Sequence, residues 1–213
     1  NIGDEAKALA VNSNELKYIA ELFDSGYPGT TTKNFVGLFE EAFVEKFQST
    51  YAITHVNGTA TLHSALAARG IGHGDEVIVP PLTMASTSLA VLYTQATPVF
   101  ADVDPETFTL NPESVRGKIT PRTKAIIPVA LYGLAPDMDP IMDLANQHNL
   151  LVIEDAAQCF LGKYHQRMVG TIGHVGSFSF QNSKHMTCGE GGIVITSDAD
   201  LAEKIRRFTS LGY

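Results

Sequence analysis

The chain has 213 residues, 44% of them hydrophobic and 18% charged, a composition that suits a soluble globular protein with a sizeable core. Its formal net charge of -8 argues against surfaces built for nucleic acid or anionic membrane, because both would be repelled. Two widely separated cysteines, Cys159 and Cys188, give no disulfide framework, the seven histidines have no metal-ligand spacing, and no apolar run reaches membrane-span length. With no signal-peptide layout at Asn1 to Ala10 either, the expectation is a cytoplasmic protein without a metal, neither exported nor inserted.

In chain order, Asn14 to Ser25 reads as a helix with Asn14 as a candidate cap, stopped by Ser25-Gly26-Tyr27-Pro28-Gly29. A loop from Pro28 to Lys33 follows, with three threonines. Phe35, Leu38, Phe39, Ala42, Phe43 and Phe47 then recur at helical spacing, the pattern of an amphipathic helix packed on a core. A strand from Tyr51 to Val56 runs into Asn57-Gly58-Thr59-Ala60 and a helix reaching about Arg69. Free N–H groups in the first helical turn, the helix dipole and a glycine without Cβ favour an anion there. Turn geometry alone also explains the glycine, and both readings stay open. Gly70-Ile71-Gly72-His73-Gly74 follows a helix and reads as a stop, and there is neither a Walker loop nor a dinucleotide fingerprint.

A strand from Glu76 to Val79 ends at Pro80-Pro81, and Leu82 to Thr87 leads into a helix to about Gln95. Next come a strand from Thr97 to Ala101, a short helix near Pro112 to Lys118, and a strand from Lys124 to Val129. A helix from Met138 to His148 precedes the strand Leu150 to Ile153. Such alternation predicts an α/β fold in three layers, a mainly parallel sheet with helices on both faces. Ligands then gather at the carboxyl ends of the strands, where Asn57, Leu82 to Ser86 and Glu154-Asp155 lie. A carboxylate at Asp155, closing an apolar strand, calls for a buried positive partner; its other reading is the cap of a helix beginning at Ala156.

Ser177 to Phe180 alternates as a short strand, Lys184 follows in a polar segment, and strand character resumes at Ile193 to Ile195 after a glycine cluster. A helix from Ala199 to about Leu211 carries Lys204, Arg206 and Arg207 near its end, as suits the helix dipole. Lys184 alone reads first as a solvated surface lysine, with an amine able to form a Schiff base as the alternative. The strand ends narrow the choice. An anion site at Gly58 to Ala60, an acid at Asp155, and Lys184 with Ser179 five residues before it are the set that pyridoxal 5'-phosphate needs: a phosphate cradle, an acid for the pyridinium nitrogen and a lysine for the aldehyde.

From about Leu16 to Tyr213 the chain also resembles the DegT-type sugar aminotransferases, fold-type I pyridoxal-phosphate enzymes. The likeness rests on Phe39-Glu40-Glu41-Ala42-Phe43, Asn57-Gly58-Thr59-Ala60-Thr61-Leu62-His63, Gly74 to Pro80, Pro98 to Asp104, Glu154-Asp155-Ala156-Ala157-Gln158, and the lysine segment with Gly189-Glu190-Gly191-Gly192. The resemblance implies that Gly58, Thr59, Ala60 and Ser179 hold the cofactor phosphate, Asp155 pairs with the pyridinium nitrogen and Gln158 lies beside the ring hydroxyl. It makes Lys184 the Schiff-base and proton-shuttling residue, and puts Met84 where relatives present an aromatic ring to the cofactor. It further implies a keto-sugar acceptor, glutamate or glutamine as donor, and a homodimer with shared active sites. Residues 1–33 then form an N-terminal helix and substrate-side loop, and 34–213 the large cofactor-binding domain, with a smaller C-terminal domain beyond Tyr213.

Two positions depart from the family pattern. Thr61 replaces a small alanine, and no function is assigned to it. His185 raises a related chemistry, because one branch of the family has paired histidines where this chain has Lys184-His185 and works as a sugar 3-dehydratase. Retention of Lys184 favours transamination over that alternative, and the joint presence of Lys184 and Asp155 favours an enzyme over a non-catalytic, regulatory relative. Ser86 or Thr87 approaches the ring or caps a helix.

Overall fold

The computed structural model describes residues 13–24 and 35–212. The chain divides into two compact units, Asn1–Phe39 and Glu40–Tyr213. In the first, helix α1 (Ser13–Asp24) begins one residue before the expected cap, so Asn14 lies inside its first turn. The ring of Tyr18 meets Phe35 edge-on, with centroids 6.1 Å apart. The turn expected at 25–29 and the threonine loop to Lys33 lie outside the described residues. Helix α2 (Phe35–Phe47) spans the unit boundary.

The second unit is built on a seven-stranded sheet. Its strands are β1 (Tyr51–His55), β2 (Glu76–Val79), β3 (Thr97–Phe100), β4 (Thr123–Ile126), β5 (Leu151–Asp155), β8 (Val175–Ser179) and β9 (Gly192–Thr196). They stand in the order β1-β9-β8-β5-β4-β2-β3. The pairs β2–β3, β2–β4, β4–β5 and β5–β8 are parallel. Both pairs made by β9 are antiparallel. The sheet is therefore mainly parallel, as alternation predicts, with one reversed strand that alternation does not reveal. β8 and β9 form a hairpin, and the segment between them carries Lys184.

Alternate residues of each strand serve opposite cores, as the two-residue period of a strand requires. Val77, Val79, Ala125, Ile127, Leu151 and Ile153 join the core under α3 (Gly58–Ala68), α4 (Ser86–Tyr93) and α7 (Ala199–Thr209). Ile78, Ile126 and Val152 join the core under α5 (Pro112–Arg116) and α6 (Met138–His148). Helices thus cover both faces, the expected three layers. Local chemistry sets the helix starts: Asn111 caps α5 by accepting from the Glu113 amide, and Asp198 caps α7 by accepting from Leu201. On α2, Phe43 and Phe47 are buried and pack against Phe178 with centroids 5.2 and 4.8 Å away.

Two local expectations need correction. No helix begins at Ala156, because its amide donates to Ser177 O at 2.9 Å and is held by the neighbouring strand. A small hairpin, β6 (Lys163–Tyr164) with β7 (Arg167–Met168), is absent from the sequence reading. Its turn residues His165 and Gln166 adopt φ of 43° and 67°, the left-handed conformations of a tight hairpin, without the Asn-Gly signature that announces one.

Gly176 on β8 sits against the turn at Gly170, where an added Cβ would fall 2.7 Å from the Gly170 Cα and 2.8 Å from its carbonyl carbon. Backbone cannot retreat as a flexible side chain can. Gly176→Ala is expected to destabilise the protein by about 3 kcal/mol, read as a lower urea midpoint; an unchanged midpoint would refute this packing account.

Candidate active site

One edge of the sheet collects the carboxyl ends of every strand except β9, whose amino end lies there instead. Helix α3 starts at this edge after β1. Asn57 caps it in an extended conformation, φ −166°, and its Oδ1 accepts from the Ala60 amide at 2.8 Å. The first amides of a helix have no partner within it. Here Asn57 uses the third, so those of Gly58 and Thr59 remain as donors to a ligand. Ala60, expected from the resemblance among the phosphate-binding residues, has its amide committed to Asn57 and does not line the cleft described below.

Ser179, the last residue of β8, lies against this turn. A Cβ on Gly58 would stand 2.7 Å from the Ser179 Cβ, so glycine is needed for the helix start and the serine hydroxyl to share one spot. The turn amides and the serine hydroxyl together could hold an anion.

Asp155 ends β5 and is buried. Its Oδ2 accepts from the Thr87 hydroxyl at 2.9 Å, and its Oδ1 from the Ala157 amide at 3.2 Å. Burial pushes its pKa up, opposed by the Thr87 and Ala157 hydrogen bonds and by the charge of Lys184. The buried positive partner expected from the sequence is not found: among the described residues no ion pair reaches Asp155, and a hydroxyl takes that place. Thr87 is the site residue the sequence reading only half found. It shares the buried face of α4 with Ala90 and Val91 at i, i+3, i+4 spacing, a signal present in the sequence. Helix capping is not its role, since Ala85 is the N-cap residue and no side chain caps α4.

The adjacent Glu154 points elsewhere. Its carboxylate accepts from the amides of Gly170, Ile172 and Gly173 at 2.6 to 2.8 Å. Burial pushes its pKa up while those three amides pull it down. It serves as the anchor of the 170–173 turn.

Lys184 lies half-buried in the β8–β9 connection, its amide donating to Gln181 O at 2.9 Å. The connection is pinned at its base by Phe180 N to Gly191 O, 2.8 Å, and Cys188 N to Phe180 O, 3.1 Å. A cleft of about 460 Å³ brings together Gly58, Thr59, Met84, Asp155, Gln158, Ser179 and Lys184. Of the eight residues that the resemblance assigns to the cofactor, only Ala60 is missing from it. Gln158 Oε1 accepts from the Tyr132 amide at 3.1 Å; an N–H can only donate, so this contact fixes the amide's orientation and leaves its NH2 as a donor. Met84 is largely exposed on the cleft wall, and Ser86 also lines it. His185 and Cys188 are exposed and do not line it.

A sequence profile of the DegT/DnrJ/EryC1/StrS aminotransferase family matches residues 10–213. The chain is 46% identical over 205 residues to the GDP-perosamine synthase of Caulobacter vibrioides, covering 96% of this chain and 55% of that protein. It is 45% identical over 174 residues to the L-glutamine:2-deoxy-scyllo-inosose aminotransferase of Streptomyces lividus, covering 82% of this chain and 41% of that protein. It superposes on the crystal structure of S. venezuelae DesV in complex with a ketimine intermediate with a TM-score of 0.91 at 38% identity, covering 98% of this chain and 56% of that one. The chain spans about half the length of the relatives it matches.

The two neighbouring acids separate in stability measurements. Glu154→Ala leaves three buried amides without an acceptor and is expected to cost at least ~3 kcal/mol. For Asp155 the raised pKa means that the folded state holds its proton more tightly than the unfolded state, so this group's ionisation lowers stability as pH rises above the ordinary aspartate range. In cofactor-free protein Asp155→Asn is therefore expected to be more stable than wild type at neutral pH, with the gain vanishing at acid pH. Urea unfolding at both pH values checks each; an Asp155→Asn protein weaker than wild type at neutral pH would contradict the burial argument.

Proposed function

The chain belongs to the DegT/DnrJ/EryC1/StrS aminotransferase family, and from that membership we propose that the protein is a pyridoxal-phosphate-dependent aminotransferase. It moves an amino group from glutamate or glutamine to a keto-sugar. The observation that carries this reading is the meeting of Gly58, Asp155, Ser179 and Lys184, which come from four separate segments, in one cleft.

The donor set fits the cofactor. The amides of Gly58 and Thr59 with the Ser179 hydroxyl suit a dianionic phosphate, and the absent Cβ of residue 58 leaves room for the approach of α3 to β8. Asp155, held by Thr87 and Ala157, would face the pyridinium nitrogen, where a protonated ring supplies the positive partner that the buried carboxylate otherwise lacks. Gln158 would offer its NH2 to the ring hydroxyl, Met84 would cover the ring face, and Lys184 would hold the aldehyde carbon covalently. When bound, the ring serves as an electron sink for the charge left as a proton leaves the amine-bearing carbon. Asp155 would keep the ring nitrogen protonated and so sustain that sink. Once freed, the Lys184 amine would take the proton from the donor's α-carbon and return it across the nitrogen to the cofactor's former aldehyde carbon, as base and then acid, and the donor would leave as a keto acid on hydrolysis. The same steps in reverse deliver the amino group to the keto-sugar. His185 does not line the cleft, which supports Lys184 over it as the group that moves protons.

The relatives' names support a nucleotide-linked sugar or a cyclic ketone as acceptor. Further substrate-binding groups are expected from a smaller C-terminal domain and from the second subunit of a homodimer. Both cysteines are free thiols, which supports a reducing, cytoplasmic setting.

Addition of pyridoxal phosphate to the purified protein is expected to produce a visible absorbance band that shifts when glutamate or glutamine is added. Lys184→Ala is expected to lose the band. A folded wild-type protein with no band would overturn the aminotransferase reading, and a band unresponsive to both donors would redirect it towards dehydration.

A further inference from the structure

Behind the amides of Gly58 and Thr59 lies a pair of buried hydroxyls that the reaction does not use. Thr61 on α3 and Ser177 on β8 are 0% and 1% exposed, and their hydroxyl oxygens are 2.6 Å apart. Thr61 Oγ1 also lies 2.6 Å from the carbonyl oxygen of Gly58. A carbonyl only accepts, so the single hydroxyl hydrogen of Thr61 goes to Gly58, and Ser177 must donate to Thr61. The result is a one-way chain from β8 through Thr61 to Gly58. Ser177 and Ser179 are two residues apart on one strand and face the same side, so both hydroxyls of β8 address the first turn of α3. Gly192 on β9 completes the seat: a Cβ there would stand 2.6 Å from Asn57 O and 2.9 Å from Thr61 Cγ2.

The carbonyl that Thr61 holds belongs to the same planar peptide unit as the Thr59 N–H. In a trans peptide these two groups point in opposite directions, so drawing the Gly58 oxygen towards Thr61 aims the Thr59 hydrogen away from it, out of the helix start. We propose that the Thr61–Ser177 hydroxyl pair is a positioning device that fixes the direction of the Thr59 amide for the phosphate of the cofactor. The inference rests on the pyridoxal-phosphate reading given above. It assigns Thr61 and Ser177 to phosphate recognition without contact with the phosphate.

Pyridoxal, which lacks the phosphate, separates this role from general support of the fold. Pyridoxal phosphate and pyridoxal are titrated by visible absorbance into wild type, Thr61→Val, Thr61→Ser and Ser177→Ala, with circular dichroism to verify folding. Loss of one aiming hydrogen bond is expected to raise the Kd for pyridoxal phosphate about three- to tenfold in Thr61→Val and Ser177→Ala. The Kd for pyridoxal is expected to stay within about twofold, and Thr61→Ser to retain wild-type affinity for both. If Thr61→Val does not fold, Ser177→Ala carries the test. Equal weakening of both ligands, or unaltered phosphate-ligand affinity in the variants, would overturn the positioning role while leaving the cofactor reading intact. Failure of wild type to bind pyridoxal phosphate would overturn the cofactor reading itself.

Discussion

The first turn of α3 lies so close to the end of β8 that residue 58 has no room for a side chain, and much of the second unit follows from that approach. For α3 to arrive there, β1 must deliver the chain to the same edge at which β8 ends, although the two strands are separated by β9. The reversed β9 makes this possible. By pairing antiparallel with both neighbours it lets β1 and β8 run in the same direction while its own first residue, Gly192, slips beneath Asn57. Two glycines far apart in the chain thus solve one steric problem, each removing a Cβ where backbone or side chain must pass.

Glu154 and Asp155 illustrate how neighbouring residues on one strand meet different fates. Successive side chains of a strand point to opposite faces. Glu154 finds three backbone amides and is fully engaged in structure. Asp155 finds one hydroxyl and one amide, fewer donors for an equally buried carboxylate. An acid left short of partners in the free protein is poised to gain from a cationic ligand, whereas one already satisfied is not. The contrast rests on donor number and not on depth of burial, which is similar for both.

The layered fold was legible because strands such as Glu76–Val79 and Leu151–Asp155 are short apolar runs separated by helical patterns, and alternation of that kind admits few architectures. The meeting of Gly58, Asp155, Ser179 and Lys184 in one cleft was legible because the first three stand at the start of a helix or the end of a strand and Lys184 follows in the connection after β8. Strand direction was not: nothing within Gly192–Thr196 tells whether it runs with or against its neighbours. Nor could the sequence disclose the Thr87–Asp155 bond across 68 positions or the Thr61–Ser177 pair across 116, since hydroxyl contacts of that span depend on how whole helices seat. Nor could it disclose that the asparagine that starts the helix also takes the amide of Ala60 three residues on.

The connection that bears Lys184 is tethered at its base by a few main-chain bonds and has little buried apolar side chain to hold its tip. A ligand gripped at once by residues 58, 155 and 184 would staple this weakly held segment to a helix and to a central strand. Its local opening would then be suppressed in proportion to ligand concentration. Proteases act on open segments, so such a ligand would also slow cutting of this connection.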